Sequence, residues 1–206
     1  MAVFQQIVSL GPNCRAKFHI RKIFGEHISR RGVFDWQVTP VPAVAEYIRR
    51  DFNGLFERDD LHVVDGVVFN KRFGTSHMHE FPKDIAENTL DALYAKAREG
   101  HDIWCAVSRM ALNNDLSTLF VLARPVSAGD MAEISGLIEK ARPGRRFLLL
   151  AAPEGDHDNH WSGDHEVWKA HLSSFQIRWP LSAIMAEQMR RLRKNVRYLR
   201  PRSMRA

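Results

Sequence analysis

Residues 4–24 read FQQIVSLGPNCRAKFHIRKIF, and this stretch decides the fold. An apolar-rich run from Phe4 to Leu10 ends at Gly11-Pro12, which predicts a short strand followed by a turn. Asn13 is a favourable N-cap and predicts a helix that continues to about Phe24. The chain therefore opens with a strand, a turn and a helix.

The rest of the chain continues to alternate strands and helices. Continuous apolar runs predict three more buried strands, at Leu119 to Ala123, Phe147 to Ala152 and Phe175 to Trp179. Two β-branched pairs about Asp65-Gly66 form the strongest short-range signal for a β-hairpin. We expect one α/β domain over residues 1–200, with a largely parallel sheet, helices on both faces and the hairpin as an insertion.

Caps and breakers predict where the helices lie. Thr39-Pro40 opens a second helix, and Asp84 is expected to cap another that ends at Gly100, with a separate helical stretch behind it. Residues 201–206 are expected to form a frayed basic tail. A last amphipathic helix is expected to dock on the sheet through an apolar stripe: Met185, Met189, Leu192 and Val196.

Composition and charge narrow the class of protein. The 206 residues are 45% hydrophobic and 26% charged, and no apolar run has the ~18 residues of a membrane-spanning helix. The N-terminus does not resemble a secretory signal, so we expect a cytoplasmic protein whose two cysteines are thiols. Of the net charge of +6, eight positive charges lie in Arg190–Arg205, which leaves the remainder slightly acidic. That basic segment is the only feature that suggests nucleic acid, and we do not expect nucleic-acid binding.

Cys14 is the position with the clearest chemical implication. It follows a strand, a turn and a predicted N-cap, so its sulfur would lie in the first turn of a helix. Unpaired amides and the helix dipole favour a thiolate there, and such cysteines become nucleophiles. The alternative is that Cys14 is a small apolar residue packed beneath the strand. Cys105 has only apolar neighbours in the sequence and is interpreted as structural.

Three segments occur in a characteristic order and spacing: Ser9-Leu10-Gly11-Pro12-Asn13-Cys14, Phe34-Asp35-Trp36 and His79-Glu80-Phe81-Pro82. They resemble a bacterial family of unknown function described as papain-like cysteine peptidases. In that family a Ser-Leu-Gly segment ends in Cys, a Pro-Phe-Asp-Trp segment follows, and a His-Asp-Phe-like segment comes later. This chain has Val33 in place of the proline and Glu80 in place of the aspartate. The resemblance extends as far as Pro82. We base the predicted fold on the alternation of strands and helices rather than on the papain fold.

The resemblance implies a cysteine hydrolase with Cys14 as nucleophile, His79 as general base and acid, and Asp35 as the group that orients the imidazole. Backbone amides at the start of the Cys14 helix would bind the oxyanion. His79 could instead be an ordinary loop histidine, and Asp35 a turn carboxylate. His77 is the alternative to His79 as the general base. Substrate contacts are expected from three residues near the catalytic positions: Asn13, Trp36 and His77.

Residues 156–166 read DHDNHWSGDHE and are dense in imidazoles and carboxylates. His157, His160 and His165 could offer nitrogens to zinc, yet their spacing matches no recognised zinc pattern. We therefore interpret the segment as a polar loop without a metal. It follows a predicted strand and could border the active cleft.

Two classes of function remain open at this point. The first is a thiol hydrolase or acyltransferase without a cofactor, acting on an amide or ester in a small molecule or in a peptide- or glycan-linked substrate. The second is a non-catalytic or nucleotide-sugar-related α/β binding domain, although Gly11 lacks a G-x-G-x-x-G continuation. A serine esterase using Ser9 ranks last, because Ser9 lies within the predicted strand.

Overall fold

The computed structural model describes residues 1–25, 28, 30–156, 160–181, 184 and 185. Within these ranges the strands are β1 (Ala2–Phe4), β2 (Gln6–Ser9), β3 (Leu61–Val64), β4 (Val67–Asn70), β5 (Ser76–His77), β6 (Thr118–Val121), β7 (Phe147–Leu150) and β8 (Phe175–Ile177). The α-helices are α1 (Arg15–Phe24), α2 (Val41–Arg49), α3 (Leu90–Asn113), α4 (Ala128–Ala141) and α5 (His165–Leu172).

The predicted buried strands pair in parallel. β6 lies between β2 and β7, and β1 pairs with β8. Only Gln5 separates β1 from β2, and the amides of Gln5 and Gln6 both donate to the carbonyl of Ser117, at 2.9 and 3.1 Å. The N-terminal strand is therefore interrupted at Gln5, and its two halves pair with different neighbours.

Alternate side chains of β6 pack against helices on opposite faces. Leu119 and Val121 belong to a buried cluster that includes residues of α1 and α5. Phe120 lies in a second cluster with residues of α2, α3 and α4. Because successive side chains of a strand point to opposite faces, β6 is covered on both sides. The prediction of an α/β fold with parallel strands is thus confirmed.

The sheet layout is only partly parallel, which corrects the expectation of a largely parallel sheet. β3 and β4 form the predicted antiparallel hairpin, with Val64 opposite Val67, and β5 adds to β4 in the antiparallel sense. Asp65 and Gly66 both have positive φ, 49° and 75°. Two positive φ values are the requirement of the type I′ turn that joins tightly paired strands.

Gly66 provides a test of this turn. A Cβ at Gly66 would lie 2.8 Å from the backbone Cα of Asp84, whereas a Cβ at Gly54, whose φ is also positive, would meet nothing within 4 Å. Gly54→Ala is expected to lower the free energy of unfolding by about 1–2 kcal/mol, the cost of a left-handed alanine. Gly66→Ala is expected to lower it by about 2–4 kcal/mol, because the backbone of Asp84 must also move. Equal losses in urea denaturation would contradict this prediction.

The helix predicted to begin at Asp84 and end at Gly100 is wrong at both ends. Asp84 has a φ of 56° and lies in a turn against the hairpin, where the amide of Ile85 donates to the carbonyl of Gly66. The helix begins at Leu90 and continues through Gly100 as one helix of 24 residues. A glycine within a helix costs about 1 kcal/mol, which the packing of a long helix offsets.

The C-terminal predictions fall largely outside the described residues. Met185 is described, and its side chain is 64% exposed, so this member of the predicted apolar stripe is not docked. Met189, Leu192, Val196 and the basic segment with its tail at 201–206 lie outside the described part of the chain. None of the helices in the described ranges combines the length and apolar character needed to cross a membrane.

Candidate functional site

The turn after β2 delivers Cys14 to the start of α1. Gly11 has a φ of 79°, a conformation that glycine adopts without strain. The first helical hydrogen bond runs from the amide of Phe18 to the carbonyl of Cys14, so Cys14 occupies the N-cap position that was predicted for Asn13. Asn13 still caps the helix, because its Oδ1 accepts the amide of Arg15 at 3.0 Å.

Cys14, Asp35 and His79 line one cavity of about 440 Å³. Asn13 and Trp36 line it as well, so the cavity contains five of the six predicted site residues. The remaining lining residues were not predicted from the sequence: Arg15, Gln37, Val38, Met78, Arg124 and Trp161. The cavity lies next to the turn that follows the carboxyl end of β2, where open α/β sheets bind their ligands.

Asp35 is a buried carboxylate at the end of a 3₁₀ turn, Val33–Asp35. Its Oδ2 accepts the amide of Gly32 at 2.9 Å and lies 3.5 Å from Nζ of Lys17, whose side chain is also buried. Its Oδ1 is buried and has no hydrogen-bond partner among the described residues. One oxygen is therefore fixed by the protein, and the other is available.

His79 is exposed on the loop after β5, and its ring packs on Trp36. The two ring centroids lie 5.7 Å apart in an edge-to-face arrangement. Trp36 also stacks on Trp104 at 4.7 Å, and the guanidinium of Arg31 lies 4.8 Å from its ring centroid. Trp36 therefore acts as a supported platform for the imidazole. Within the described ranges no hydrogen bond joins the ring of His79 to the sulfur of Cys14.

His77 lies apart from the cavity. It is 1% exposed, its Nε2 lies 2.9 Å from Oγ1 of Thr75, and its Nδ1 lies 3.2 Å from Oε1 of the buried Glu80. The carboxylate of Glu80 thus orients the imidazole ring of His77 rather than the ring of His79. Sequence could not separate two histidines that are two residues apart, because strand alternation would place both on the same face. In the structure β5 ends at His77, and the turn that follows directs His79 away from the core.

The electrostatic environment of Cys14 does not lower the pKa of its thiol, in contrast to the prediction from the sequence. Burial raises the pKa of the Cys14 thiol, and the carboxylate of Asp35 raises it further. A backbone hydrogen bond and the guanidinium groups of Arg15 and Arg31 act in the opposite direction but are outweighed. The predicted lowering of this pKa by the helix N-terminus is therefore wrong in sign, because desolvation penalises the thiolate more than the first turn stabilises it.

Cys105 lies in the core, in agreement with its structural interpretation. Burial raises the pKa of its thiol to about 12. Its sulfur lies 3.5 Å from Nδ1 of His101, whose own pKa is lowered by burial to about 3. Nε2 of that histidine is 3.0 Å from the hydroxyl of the buried Tyr47. The two thiols of the chain therefore occupy clearly different environments.

The histidine-rich loop closes over the start of α1 through Arg15. The guanidinium of Arg15 donates to Oδ2 of Asp156 at 2.9 Å and to the carbonyls of His160 and Trp161 at 3.0 and 2.9 Å. Trp161 lines the cavity, so this loop does border the cleft. Oδ1 of Asp156 accepts the amide of Asp164 at 2.9 Å, which tightens the loop.

His165, at the end of this loop, also forms a structural contact. The ring of His165 stacks on that of His19, whose Nε2 lies 2.5 Å from the carbonyl of Ser162. In the described part of the chain no group of three or more His, Cys, Asp or Glu residues could hold a metal ion. His157 lies outside the described residues, so its position is not part of this finding.

Two of the unpredicted lining residues had detectable signals in the sequence. Arg124 directly follows the predicted strand at Leu119 to Ala123, and the residues after a parallel strand are candidates for any ligand site. Arg15 directly follows Cys14. Ser9, in contrast, is buried within β2 and does not line this cavity, and its Oγ lies 3.5 Å from the amide of Gly11.

Comparison of the chain with family models, with curated proteins and with solved structures finds no match.

Proposed function

We propose that the chain is a cysteine-dependent hydrolase or acyltransferase that acts on an amide or an ester. The observation that carries this proposal is the shared cavity: Cys14, Asp35 and His79 come from three separate segments and line the same space. Its volume of about 440 Å³ falls in the range of ordinary small-molecule sites. The resemblance of the same three segments to papain-like cysteine peptidases supports the same assignment.

The chemistry requires a nucleophile and a proton carrier. Sγ of Cys14 attacks the substrate carbonyl carbon, a C–S bond forms, and the carbonyl electron pair moves to oxygen. His79 accepts the thiol proton and donates it to the leaving amine or alcohol as the C–N or C–O bond breaks. Water then attacks the thioester with His79 again as base, and the thiol is restored. In an acyltransferase, an acceptor amine or alcohol takes the place of water.

The raised pKa of Cys14 constrains the timing of proton transfer. A thiol with a raised pKa is protonated at neutral pH, so the free protein would not hold a thiolate and imidazolium pair. His79 would instead remove the proton during the attack, as a general base. Trp36 supports this role, because it limits the positions of the imidazole.

Backbone amides at the start of α1 could stabilise the oxyanion. The first amides of an α-helix have no acceptor within the helix, and α1 begins at Arg15. Asn13 accepts the amide of Arg15, and the amide of the next residue, Ala16, is a donor of the kind an oxyanion requires.

A non-catalytic α/β binding domain, including one for a nucleotide sugar, is the second candidate. The observation that favours it is the half-buried Cys14 thiol with a raised pKa and, among the described residues, no hydrogen bond to an imidazole. In that case Cys14 would only form part of the cavity wall. The two candidates differ in whether Cys14 becomes acylated.

Acylation of Cys14 by p-nitrophenyl acetate tests the proposed function. We expect release of nitrophenol and an acetyl group on Cys14 in mass spectrometry of acid-quenched protein. Cys14→Ala should lower kcat/KM by roughly 10³-fold or more, and His79→Ala by roughly 10²–10⁴-fold. The matched controls are Cys105→Ala for the thiol and His62→Ala for the imidazole, since neither residue lines the cavity.

The proposed function would be rejected if p-nitrophenyl acetate left Cys14 unmodified in the folded protein. It would also be rejected if the Cys14→Ala variant still turned over the ester. The binding domain would then become the first choice.

A further inference from the structure

A second cavity lies along β2, behind Asp35. Its volume is about 190 Å³, and it is bordered by the residues of β2 and by the C-terminal half of α3. β2 pairs with β6 on one side, and no described strand pairs with its other edge. The aliphatic part of the wall comes from six residues: Ile7, Val8, Val107, Met110, Ala111 and Leu116.

Two buried polar atoms of this wall have no partner among the described residues. One is Oδ1 of Asp35, a hydrogen-bond acceptor, and the other is Nε1 of Trp179, a donor. Buried polar atoms without partners are few in native proteins, and each one lowers stability. The wall also contains further polar residues: Gln6, Ser9, Arg30, Ser108 and Asn114. A cavity whose wall offers one unpaired acceptor and one unpaired donor beside apolar residues is complementary to a group that both donates and accepts, such as an amide.

Asp35 lines both cavities, so a ligand in the second cavity lies next to the cavity of Cys14. The size of the second cavity also limits its occupant. An apolar cavity of about 150 Å³ holds a benzene ring, so about 190 Å³ accommodates one ring or a branched aliphatic group with a small polar attachment.

We infer that the second cavity binds a ring-sized apolar group of the substrate together with an amide attached to it. The amide N–H donates to Oδ1 of Asp35, and the amide carbonyl accepts from Nε1 of Trp179. That the bound group belongs to a substrate rests on the proposed function. The substrate would then be an amide or ester of an apolar, peptide-like group.

Phenylacetamide is the probe, because it combines one ring with one amide. It is titrated by calorimetry into the Cys14→Ala protein, which cannot react. Saturable binding at one site is expected. Trp179→Phe removes the donor and should weaken binding of phenylacetamide roughly fivefold. Ethylbenzene has the ring without the amide, and its binding should be unchanged by Trp179→Phe.

Variants that fill the cavity provide the second arm. Ala111→Phe and Val107→Phe each place a ring in the space and should abolish binding of phenylacetamide. Ile103→Phe is the matched control, because Ile103 lies on the same helix, is exposed and does not line the cavity. Only variants with wild-type circular dichroism are compared, and two filling variants guard against the loss of one to misfolding.

Several outcomes would overturn the inference. A titration of folded Cys14→Ala protein that gives no heat of binding would mean that the cavity does not bind phenylacetamide. Binding that persists in both filling variants would place the ligand elsewhere, and equal effects of Trp179→Phe on both probes would reject the amide contact. These results are independent of catalysis: binding without acylation of Cys14 in the wild type rejects the proposed function and leaves the cavity assignment standing.

Discussion

Replacing Arg15 with methionine is expected to lower the free energy of unfolding by about 3–5 kcal/mol. The side chains of Arg15 and Asp156 are 4% and 1% exposed, and the guanidinium also holds the carbonyls of His160 and Trp161. Methionine preserves much of the volume but leaves the Asp156 carboxylate buried without its cation. The loss can be measured by urea denaturation.

Arg109→Met is the matched control. Arg109 also bonds to several oxygens, on Asp51 and Asn53, but its side chain and that of Asp51 are 32% and 57% exposed. Exposed pairs contribute about 0.2–1 kcal/mol, so this variant should lose little. Equal losses for the two variants would show that Arg15 does not anchor the loop. The chain has five tryptophans, so the local readout is the fluorescence difference between each protein and its Trp161→Phe counterpart. Release of the loop should expose the Trp161 ring further and change that difference.

The two thiols are expected to differ in alkylation by iodoacetamide by roughly 100-fold or more at pH 7. Cys105 is buried, with a pKa raised to about 12, and should react only on unfolding. Cys14 is only half-buried and should react in the native protein, though more slowly than a free thiol, because burial raises its pKa. Its rate should still be rising with pH at pH 9. Mass spectrometry of protein labelled from pH 6 to 10 resolves both sites.

Asp35→Asn is expected to accelerate alkylation of Cys14 several-fold at pH 7–8. The carboxylate of Asp35 raises the pKa of Cys14, since a negative charge disfavours a nearby thiolate. Removing that charge lowers the pKa and increases the thiolate fraction at a fixed pH below it. Asp115→Asn, at an exposed carboxylate paired with Arg145, should change nothing and serves as the control. A slower reaction in Asp35→Asn would mean that Asp35 activates Cys14 through an imidazole.

These three experiments concern features that could be predicted from sequence to different extents. Cys14, Asp35 and His79 lie in the three segments that the sequence analysis singled out, and they line one cavity. Arg15 as an anchor could not be predicted, since its partners lie at positions 156–161 and no local pattern connects them. The sign of the Cys14 pKa shift was missed for a related reason: desolvation depends on the whole surrounding structure.

Local features of this chain follow from the sequence by itself. The strand and turn at residues 6–13, the hairpin at Asp65-Gly66 and the strands β6 and β7 arise from apolar runs, glycine conformations and caps, which act within a few residues. Only the tertiary structure decided which of His77 and His79 reaches the cavity, which oxygen of Asp35 remains available and how far Cys14 is desolvated. These properties are set by contacts between residues distant in sequence, whose burial and partners exist only once the chain has folded.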